Sequence, residues 1–295
     1  MSMCLDPRRS WSDTVRIAQG LDAAKWHAIY VCDHFIPFDP AGSVPHGPLL
    51  ESWTSLTALA ALTTNARLGT LVLGNTYRHP AIVANMAATL DHVSNGRLIL
   101  GLGAGWQKNE HDAYGIELPE PAERIDRFEQ AVDIIEQLLG APRTTSHGFF
   151  YDITDATCEP KPLQQPLPLL IGGGGEKRTM RVAAVYADIW HSWMNPAELR
   201  HKNTVLDEYC ASIGRDPSEI DRATGGTIYL SDNAIESSLS DADVAGSVSE
   251  VIEQLRDYSA AGADEFIVRD HSEHLSVTET LAMIERLSAE VIPAL

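Results

Sequence analysis

The stretch LGTLVLGNTYRHPAIVANMAATLDHVSNGRLILGLGAGW, residues 68–106, contains two apolar segments on either side of an amphipathic one. The apolar segments, residues 67–73 and 97–103, are hydrophobic on successive positions, which is typical of parallel strands buried on both faces. Between them the pattern predicts a helix from Pro80 to Asn95-Gly96, where a left-handed cap forms easily. Its predicted buried stripe consists of Ile82, Val83, Met86, Leu90 and Val93. The stretch is therefore a candidate strand–helix–strand unit of a parallel sheet.

The same unit repeats along the chain and predicts eight strands. They span residues 2–5, 28–32, 67–73, 97–103, 169–172, 188–190, 224–230 and 265–268. Helix starts are marked by Ser or Asn three residues before an acid, as in a capping box, at Ser10, Asn195, Ser247 and Ser276. Because five or six units would leave an open sheet whereas eight close a barrel, the count favours an α/β fold of the (β/α)8 TIM-barrel type.

A barrel of this kind commonly forms one domain at a length of 295 residues, so we expect a single domain over residues 1–295. Two Pro- and Gly-rich stretches interrupt the repeat. Residues 35–50 are expected to form an access loop, and residues 140–168 an insertion before the fifth strand. Within the insertion, residues 143–145 and 149–153 flank the turn dipeptide His147-Gly148 and predict a small hairpin.

Composition excludes several classes of protein. With 22 Lys+Arg against 41 Asp+Glu, the formal charge is −19 and no long basic run offsets it, so no nucleic-acid partner is expected. No stretch approaches the roughly 18 apolar residues of a membrane span, and the N-terminus has no long apolar run. The four cysteines, Cys4, Cys32, Cys158 and Cys210, include no C-x-x-C pair. We expect a cytoplasmic protein with reduced thiols and no membrane partner.

Four consecutive glycines, Gly172 to Gly175, follow an apolar strand and directly precede a predicted helix. Glycines remove every Cβ from the turn, so several backbone N–H groups can converge on a phosphate at the helix N-terminus. Such bonds and the helix dipole would contribute on the order of 5 to 10 kcal/mol, whereas immobilising a ligand costs roughly 4 to 15 kcal/mol. The loop therefore favours a larger cofactor with a ring to bury. A simple tight turn is the alternative, and Lys177, Arg178 and Arg181 either assist the phosphate or are solvated.

In such barrels the active site lies at the carboxyl ends of the strands. His34 follows the second strand beside Asp33, which is expected to orient the imidazole so that one ring nitrogen serves a substrate. A hydrogen-bonded structural histidine is the alternative. The glycines from Gly101 to Gly105 do not match the dinucleotide fingerprint G-x-G-x-x-G. They indicate either the close approach of a flat ring or a backbone to the strand end, or close packing of a strand and a helix.

Single histidines after other strands, His191 and His271, raise a metal-dependent hydrolase as an alternative. Such a site needs three or more His or carboxylate ligands. The histidines are scattered, and Cys4-Leu5-Asp6 stands after the first strand in place of a His-x-His pair. No metal site is predicted.

Four motifs together resemble the bacterial luciferase-like flavin/deazaflavin oxidoreductase family, and within it the coenzyme F420-dependent branch. They are YVCDHF (30–35), residues 68–106 quoted above, NEHDAYG (109–115) and LLIGGGGEKRTMRVAAVYAD (169–188). The resemblance covers nearly the whole chain. It implies a (β/α)8 barrel, often dimeric, with the ring of FMN or of the 8-hydroxy-5-deazaflavin F420 across the barrel mouth.

The resemblance also implies roles for individual residues. His34 is similar to the family's active-site histidine near the reactive ring carbon, and Asp33 to its neighbour. Gly74 and Asn75 fall where the family has a bulged strand end, often with a non-proline cis peptide, behind the ring. Further cofactor contacts are implied for Gly103, Ala104, Gly105, Trp106, Gly172, Gly173 and Gly174. Trp106 departs from the sugar-phosphate dehydrogenase branch, which has an acid after the fourth-strand glycines. The nearest acid, Glu110, either takes part in the site or lies on a helix surface, and we expect the helix surface.

The resemblance therefore predicts an oxidoreductase that exchanges a hydride between F420 and a small organic substrate. The substrate would lie between residues 35–50, Trp106 and Trp193, with His34 as proton donor or acceptor. An FMN-dependent monooxygenase fed by a separate cofactor reductase would use the same barrel and phosphate loop. A flavin-binding barrel without catalysis is the remaining alternative. A homodimer is expected in each case.

Overall fold

A computed structural model describes residues 1–39, 41–231 and 240–295 of the chain. In this described part, eight parallel strands pair around a closed ring in the order β1-β2-β3-β5-β8-β9-β10-β13, and β13 pairs with β1. Their bounds are β1 Ser2–Leu5, β2 Ala28–Val31, β3 Arg67–Thr70 with its continuation β4 Leu73–Gly74, β5 Leu98–Gly103, β8 Leu169–Gly172, β9 Ile189–His191, β10 Asp221–Gly226 and β13 Glu265–Arg269. The predicted (β/α)8 barrel is confirmed.

The helices surround this ring. They are α1 Trp11–Ala23, α2 Ser52–Leu62, α3 Pro80–Ser94, α4 Lys108–Tyr114, α5 Pro121–Gly140, α6 Thr179–Tyr186, α7 Pro196–Ile213, α8 Val248–Ala260 and α9 Val277–Arg286, with short helical turns at Pro217–Glu219, Leu287–Val291 and Ile292–Ala294. Asn195 and Ser276 form the predicted capping boxes with Glu198 and Glu279. No helix among the described residues has both the length and the apolar character needed to cross a membrane.

Two small sheets lie outside the barrel. The insertion before the fifth barrel strand contains the predicted hairpin, formed by β6 Thr144–His147 and β7 Asp152–Ala156. Its second strand begins three residues later than predicted, and the turn spans residues 148–151 because His147 belongs to β6. The second sheet pairs β11 Ile228–Leu230 with β12 Val244–Gly246. The predicted strand over residues 224–230 was therefore wrong in extent, because its second half leaves the barrel to form β11. The strand predicted over residues 67–73 is also interrupted, at Leu71–Val72.

The core has two layers, one inside the barrel and one between the strands and the helices. The inner layer consists of Cys4, Ala28, Tyr30, Leu71, Ile99, Leu170, Ile189, Ala223 and Ile267. The outer layer is larger and is built from aliphatic side chains of both strands and helices. Strands that face apolar side chains on both sides must be apolar at successive positions, which is the pattern that identified them.

The predicted buried stripe of α3 is only partly correct. Val83 and Leu90 are buried, but Ile82 and Val93 are 57% and 45% exposed. The buried face is instead completed by small residues, Ala84, Ala87 and Ala88, which permit close packing of the neighbouring helices. The larger apolar residues at 82, 86 and 93 follow a second stripe on the outer face, since positions four and seven apart share one side of a helix.

Candidate active site at the barrel mouth

A cavity of about 470 Å³ opens at the carboxyl ends of the strands, which is within the range of small-molecule sites. We call it the glycine-loop cavity. Its wall includes nine of the predicted site residues: Asp33, His34, Gly74, Gly103, Ala104, Gly105, Trp106, Gly172 and Gly173. Residues from four separate strand ends therefore meet at one cavity.

Two predicted cofactor residues, Asn75 and Gly174, do not line this cavity. The Asn75 amide donates to the hydroxyl of Tyr151 at 3.2 Å and faces a neighbouring cavity of about 310 Å³, which we call the side cavity. The carbonyl of Gly174 accepts from Lys202 Nζ at 2.9 Å. A cofactor contact from either residue stays a prediction.

His34 lies in the cavity wall and is held by a buried carboxylate. Its Nδ1 is 2.9 Å from Oε1 of Glu110, whose side chain has no exposed area. Glu110 also accepts from the backbone N–H groups of Phe35 at 2.9 Å and Ile36 at 3.3 Å, and from the hydroxyl of Tyr77. The expectation that Glu110 lies on a helix surface is therefore wrong. Nε2 of His34 has no hydrogen-bond partner among the described residues and remains available to a ligand.

The two groups shift each other's protonation. Burial by itself would lower the pKa of His34, but the hydrogen bond and the negative charge of Glu110 outweigh it and raise that pKa above its usual value. Burial would likewise raise the pKa of the Glu110 carboxyl. Hydrogen bonds from His34, Phe35 and Tyr77 outweigh that effect and lower it. The pair can therefore keep a proton on the imidazole at a higher pH than an isolated histidine would.

Asp33 has a different role from the one expected. Its carboxylate accepts from the Ser52 hydroxyl at 2.6 Å and the Gly74 N–H at 3.0 Å, and it forms a two-point ion pair with Arg78 at 2.7 and 3.0 Å. The prediction that Asp33 orients the imidazole is therefore wrong, because Nδ1 of His34 is hydrogen-bonded to Glu110. Asp33 instead fixes the end of the third strand through Gly74 and Arg78.

The glycines of β5 make room for the neighbouring strand. A Cβ on Gly101 would lie 1.8 Å from the carbonyl oxygen of Thr70, and one on Gly103 would lie 2.5 Å from Cγ2 of Val72. The peptide bond between Leu71 and Val72 is cis, and Val72 also lines the cavity. The interruption of the third strand thus lies at residues 71–72, three residues before the predicted position. The predicted close approach of a backbone is therefore confirmed at Gly101, where the approaching backbone belongs to the neighbouring strand.

The glycine run forms the loop between β8 and α6. Gly173 has a φ of +125°, a conformation that requires glycine, and no side chain caps the start of α6. The helix begins at Thr179, because residues 176–178 form an intervening turn, so the expectation that it directly follows the glycines is wrong. Arg178 and Arg181 pair with acids of α5, Asp126 and Glu129, rather than facing the loop.

A second cavity of about 590 Å³ adjoins the first, and we call it the access-loop cavity. The two share Cys32, His34, Trp106 and Trp193. Ile36, Pro37, Phe38 and Leu49 line the second cavity, so the loop predicted to cover the mouth does form its wall. The ring of Trp106 lies edge-on to His34 with centroids 5.5 Å apart. His34 therefore stands on the boundary between two compartments.

His191, in the wall of the glycine-loop cavity, has one ring nitrogen without a hydrogen-bond partner among the described residues. Its side chain is buried, and Nε2 has no hydrogen-bond partner in the structure. Burial and the charge of Arg269 lower the pKa of His191 to about 3. A neutral imidazole can donate or accept one hydrogen bond, so the cavity offers a polar contact for a ligand atom.

The metal-hydrolase alternative finds no ligand set in the described ranges. No group of three or more His, Cys, Asp or Glu side chains there is arranged to hold a metal ion. His191 packs edge-on against Trp193, whereas His271 bonds to the hydroxyl of Thr227.

Sequence reasoning assigned no role to Tyr77 and Arg78. It named His191 only as a candidate metal ligand, and it favoured a helix surface for Glu110. Glu110 is separated from His34 by 76 positions, and its partner cannot be identified from spacing. One signal was present: Glu110 belongs to NEHDAYG, one of the motifs that carried the resemblance.

The sequence is similar to a known protein family and to named relatives. Residues 2–238 match the model of the luciferase-like monooxygenase family. A protein named F420-dependent glucose-6-phosphate dehydrogenase from Kineococcus radiotolerans is 39% identical over 158 residues, which are 53% of this chain and 44% of that protein. The chain spans about half the length of the curated relatives it matches.

Solved structures share the fold at low identity. An F420-dependent secondary alcohol dehydrogenase in complex with an F420-acetone adduct superposes with a TM-score of 0.84 at 20% identity, covering 99% of this chain and 98% of that one. The oxygenating constituent of 3,6-diketocamphane monooxygenase from Pseudomonas putida, in complex with FMN, gives a TM-score of 0.75 at 17% identity, with coverage of 99% and 98%.

Proposed function

The chain belongs to the luciferase-like monooxygenase family, and from that premise we propose that it is an oxidoreductase exchanging a hydride between coenzyme F420 and a small organic substrate. The observation that carries the proposal is His34. It is held by the buried Glu110, presents a free Nε2, and stands where the two mouth cavities meet. Oxidation of a hydroxyl to a carbonyl removes a proton as well as a hydride, and an acid–base group between a cofactor compartment and a substrate compartment can accept that proton.

The glycine-loop cavity fits a flavin-like cofactor. Val72 and the glycines Gly74, Gly103 and Gly105 line it, so part of its wall carries no side chain, and Gly172 and Gly173 add partly exposed backbone. The orphaned Nε2 of His191 gives a hydrogen-bonding contact inside it. These residues would hold the cofactor, with the phosphate beside the glycine run.

When bound, F420 gives or takes the hydride. The chain provides proton transfer and orientation. In the direction of substrate oxidation, the Nδ1–H group of neutral His34 donates to the Glu110 carboxylate, while Nε2 accepts the substrate's hydroxyl proton. The resulting imidazolium is stabilised by the Glu110 carboxylate. In the reverse direction the same nitrogen donates the proton. Trp106, Trp193 and residues of the access loop line the space in which the substrate would lie.

The substrate is proposed only as a small organic molecule with a hydroxyl or carbonyl group. The curated relatives are named as glucose-6-phosphate dehydrogenases, but they are matched over about half of their length. Trp106 stands where that branch has an acid after the fourth-strand glycines. A substrate screen should therefore include both sugar phosphates and secondary alcohols, and neither class is favoured over the other.

Fluorescence titration of the purified protein with F420 and with FMN tests the proposal. We expect micromolar or tighter binding of F420, lost or strongly weakened in Gly173→Val, because the φ of +125° excludes a β-branched residue. Gly140→Ala is the matched control, since its added Cβ meets nothing within 4 Å. Binding of FMN without F420 would replace the proposal by its second candidate, an FMN-dependent monooxygenase fed by a separate reductase, which the FMN complex among the structural neighbours favours. Binding of neither would overturn both.

A cytosolic homodimer is part of the same proposal. The apolar side chains of Ile82 and Val93 on α3, and of Leu62 at the end of α2, are exposed and would be covered if these helices contacted a second copy. Light scattering after size-exclusion chromatography measures the mass directly, and a monomer at micromolar concentration would contradict the dimer.

A further inference from the structure

Two cysteine side chains lie against each other on the inner wall of the barrel mouth. Cys4 belongs to β1, and Cys32 directly follows β2. In the parallel register Cys4 is opposite Tyr30, so Cys32, two positions further along, faces the same side of the sheet. Their Sγ atoms are 3.2 Å apart. A disulfide bond is about 2.0 Å long, so the two sulfurs need to approach each other by about 1.2 Å to form one.

The pair can be reached from the access-loop cavity, whose wall includes both residues. Cys32 also lines the glycine-loop cavity and is partly exposed, whereas Cys4 is buried. The other two cysteines, Cys158 and Cys210, are fully buried in the outer layer of the core. A small reagent that enters the mouth therefore meets the Cys32 thiol first, with the Cys4 thiol in contact behind it.

The surroundings of the pair favour a thiolate on Cys32. The hydrogen bond from Cys4 lowers the pKa of Cys32, and the positive charges of protonated His34 and of Arg269 add to this effect, although burial opposes it. The hydrogen bond with Cys32 and burial both raise the pKa of Cys4. Because the thiolate is the nucleophilic form of cysteine, Cys32 is the thiol that reacts first, while Cys4 stays protonated beside it.

We propose that Cys4 and Cys32 form an oxidation site for small hydroperoxides, an inference that does not depend on the proposed function. The Cys32 thiolate attacks one peroxide oxygen, the O–O bond breaks, and the leaving alkoxide or hydroxide takes up a proton. The sulfenic acid of Cys32 then reacts with Cys4. The S–S bond forms, and the sulfenic hydroxyl leaves as water with the Cys4 proton. Two electrons pass from the two thiols to the peroxide, which ends as one alcohol and one water, or as two waters from hydrogen peroxide.

Treatment of the purified wild-type protein with hydrogen peroxide, followed by mass spectrometry, tests the inference. We expect the intact mass to fall by about 2 Da and a cross-link to join the tryptic fragments 1–8 and 26–67, which contain Cys4 and Cys32. Dithiothreitol should restore both thiols. Loss of free thiol should be at least about 10-fold faster than in Cys32→Ala, because lowering a thiol pKa by one unit raises its thiolate fraction about tenfold.

Single variants assign the roles of the two thiols. In Cys4→Ala, Cys32 has no partner, so its sulfenic acid should persist and be trapped by dimedone. Cys32→Ala should give neither a cross-link nor trapped sulfenic acid. Cys158→Ala and Cys210→Ala are the matched controls, because these thiols are fully buried in the outer core layer, and both variants should form the cross-link at the wild-type rate.

Four intact thiols after excess peroxide would overturn the inference, as would a cross-link that involves Cys158 or Cys210. Sulfinic acid on Cys32 without a cross-link would also overturn it, because Cys4 would then not act as the partner. Trapped sulfenic acid on Cys4 in Cys32→Ala, with none on Cys32 in Cys4→Ala, would contradict the order of the two steps. The mapping uses the wild-type protein without cofactor or substrate, so its result is separate from the folding of any variant and from the test of the proposed function.

Discussion

Replacing Glu110 by Gln keeps the size of a fully buried side chain and removes its charge. The glutamine carbonyl can still accept from the N–H groups of Phe35 and Ile36, which hold one carboxylate oxygen now. Its NH2 group then faces Nδ1 of His34 and the hydroxyl of Tyr77. An NH2 group can only donate, so neutral His34 must accept at Nδ1 and carry its proton on Nε2. The nitrogen that faces the cavity would then be unable to take a proton from a substrate.

The magnitude follows from the contact that is lost. The 2.9 Å bond between His34 and Glu110 is charge-assisted when the imidazole is protonated, and such a bond contributes about 1.5 to 3 kcal/mol. At about 1.4 kcal/mol per tenfold change, Glu110→Gln should lower the turnover number by about 10- to 150-fold. Because Glu110 raises the pKa of His34, that pKa should fall in the variant. The acidic limb of kcat/KM for substrate oxidation should therefore move to lower pH.

The assay combines kinetics with a titration that needs no substrate. Nitrogen-edited NMR of the imidazole reports the tautomer and the pKa of His34 in wild type and variant, and steady-state rates across pH report the limb. Tyr77→Phe is the matched control, since it removes one donor to Glu110 and leaves the charge in place. Its effect on turnover should be less than about 5-fold.

A double variant decides whether Glu110 acts through His34. If it does, His34→Ala with Glu110→Gln should be no slower than His34→Ala alone, because the positioned group is already absent. Additive losses would refute the reasoning, as would an unchanged pH limb in Glu110→Gln. A loss of cofactor affinity equal to the loss in turnover would also refute it, because Glu110 would then act on binding.

Three further predictions follow from other contacts. His34→Ala should keep cofactor affinity and lower turnover by about 100-fold or more, and unchanged turnover would return His34 to a structural role. Gly101→Ala should destabilise the fold by at least about 1 to 3 kcal/mol, because its Cβ would lie 1.8 Å from the Thr70 carbonyl oxygen; chemical denaturation measures this against Gly140→Ala, which should be neutral or stabilising. His191, whose pKa lies near 3 in the fold and near its usual value when unfolded, should make stability fall as the pH drops from about 6.5 towards 3. His191→Phe should reduce that acid sensitivity, and an unfolding curve with the same pH dependence as wild type would contradict it.

Strand and helix positions were largely predictable because they depend on local pattern. Six of the eight predicted barrel strands agree with the structure to within one residue at each end. The strands predicted over residues 67–73 and 224–230 do not agree with the structure. The interruption at Leu71–Val72 and the pairing of β11 outside the barrel depend on contacts with other strands. The α3 stripe failed for a similar reason: alanines fill a close helix contact that hydrophobicity alone does not identify.

The candidate site was likewise predictable in its strand-end residues but not in their hydrogen-bond partners. Sequence located the strand-end residues His34, Gly103 and Gly172, because parallel strands in a barrel all end at one mouth and the residue after each strand must lie there. It could not assign partners. Asp33 is adjacent to His34 along the chain, yet its carboxylate points to Arg78, while Glu110 reaches the imidazole from another element.

The sequence by itself therefore determined the barrel, the composition of its mouth and the glycine run, since these follow from periodicity and from residues adjacent in the chain. The tertiary structure alone decided that Glu110 holds His34 and that Arg124, beside Gly172 and Gly173, has no ion pair among the described residues. Hydrogen bonds and ion pairs act over about 3 Å of space. Side chains 50 to 80 positions apart reach that separation only when the barrel closes, and so no spacing along the chain encodes the choice.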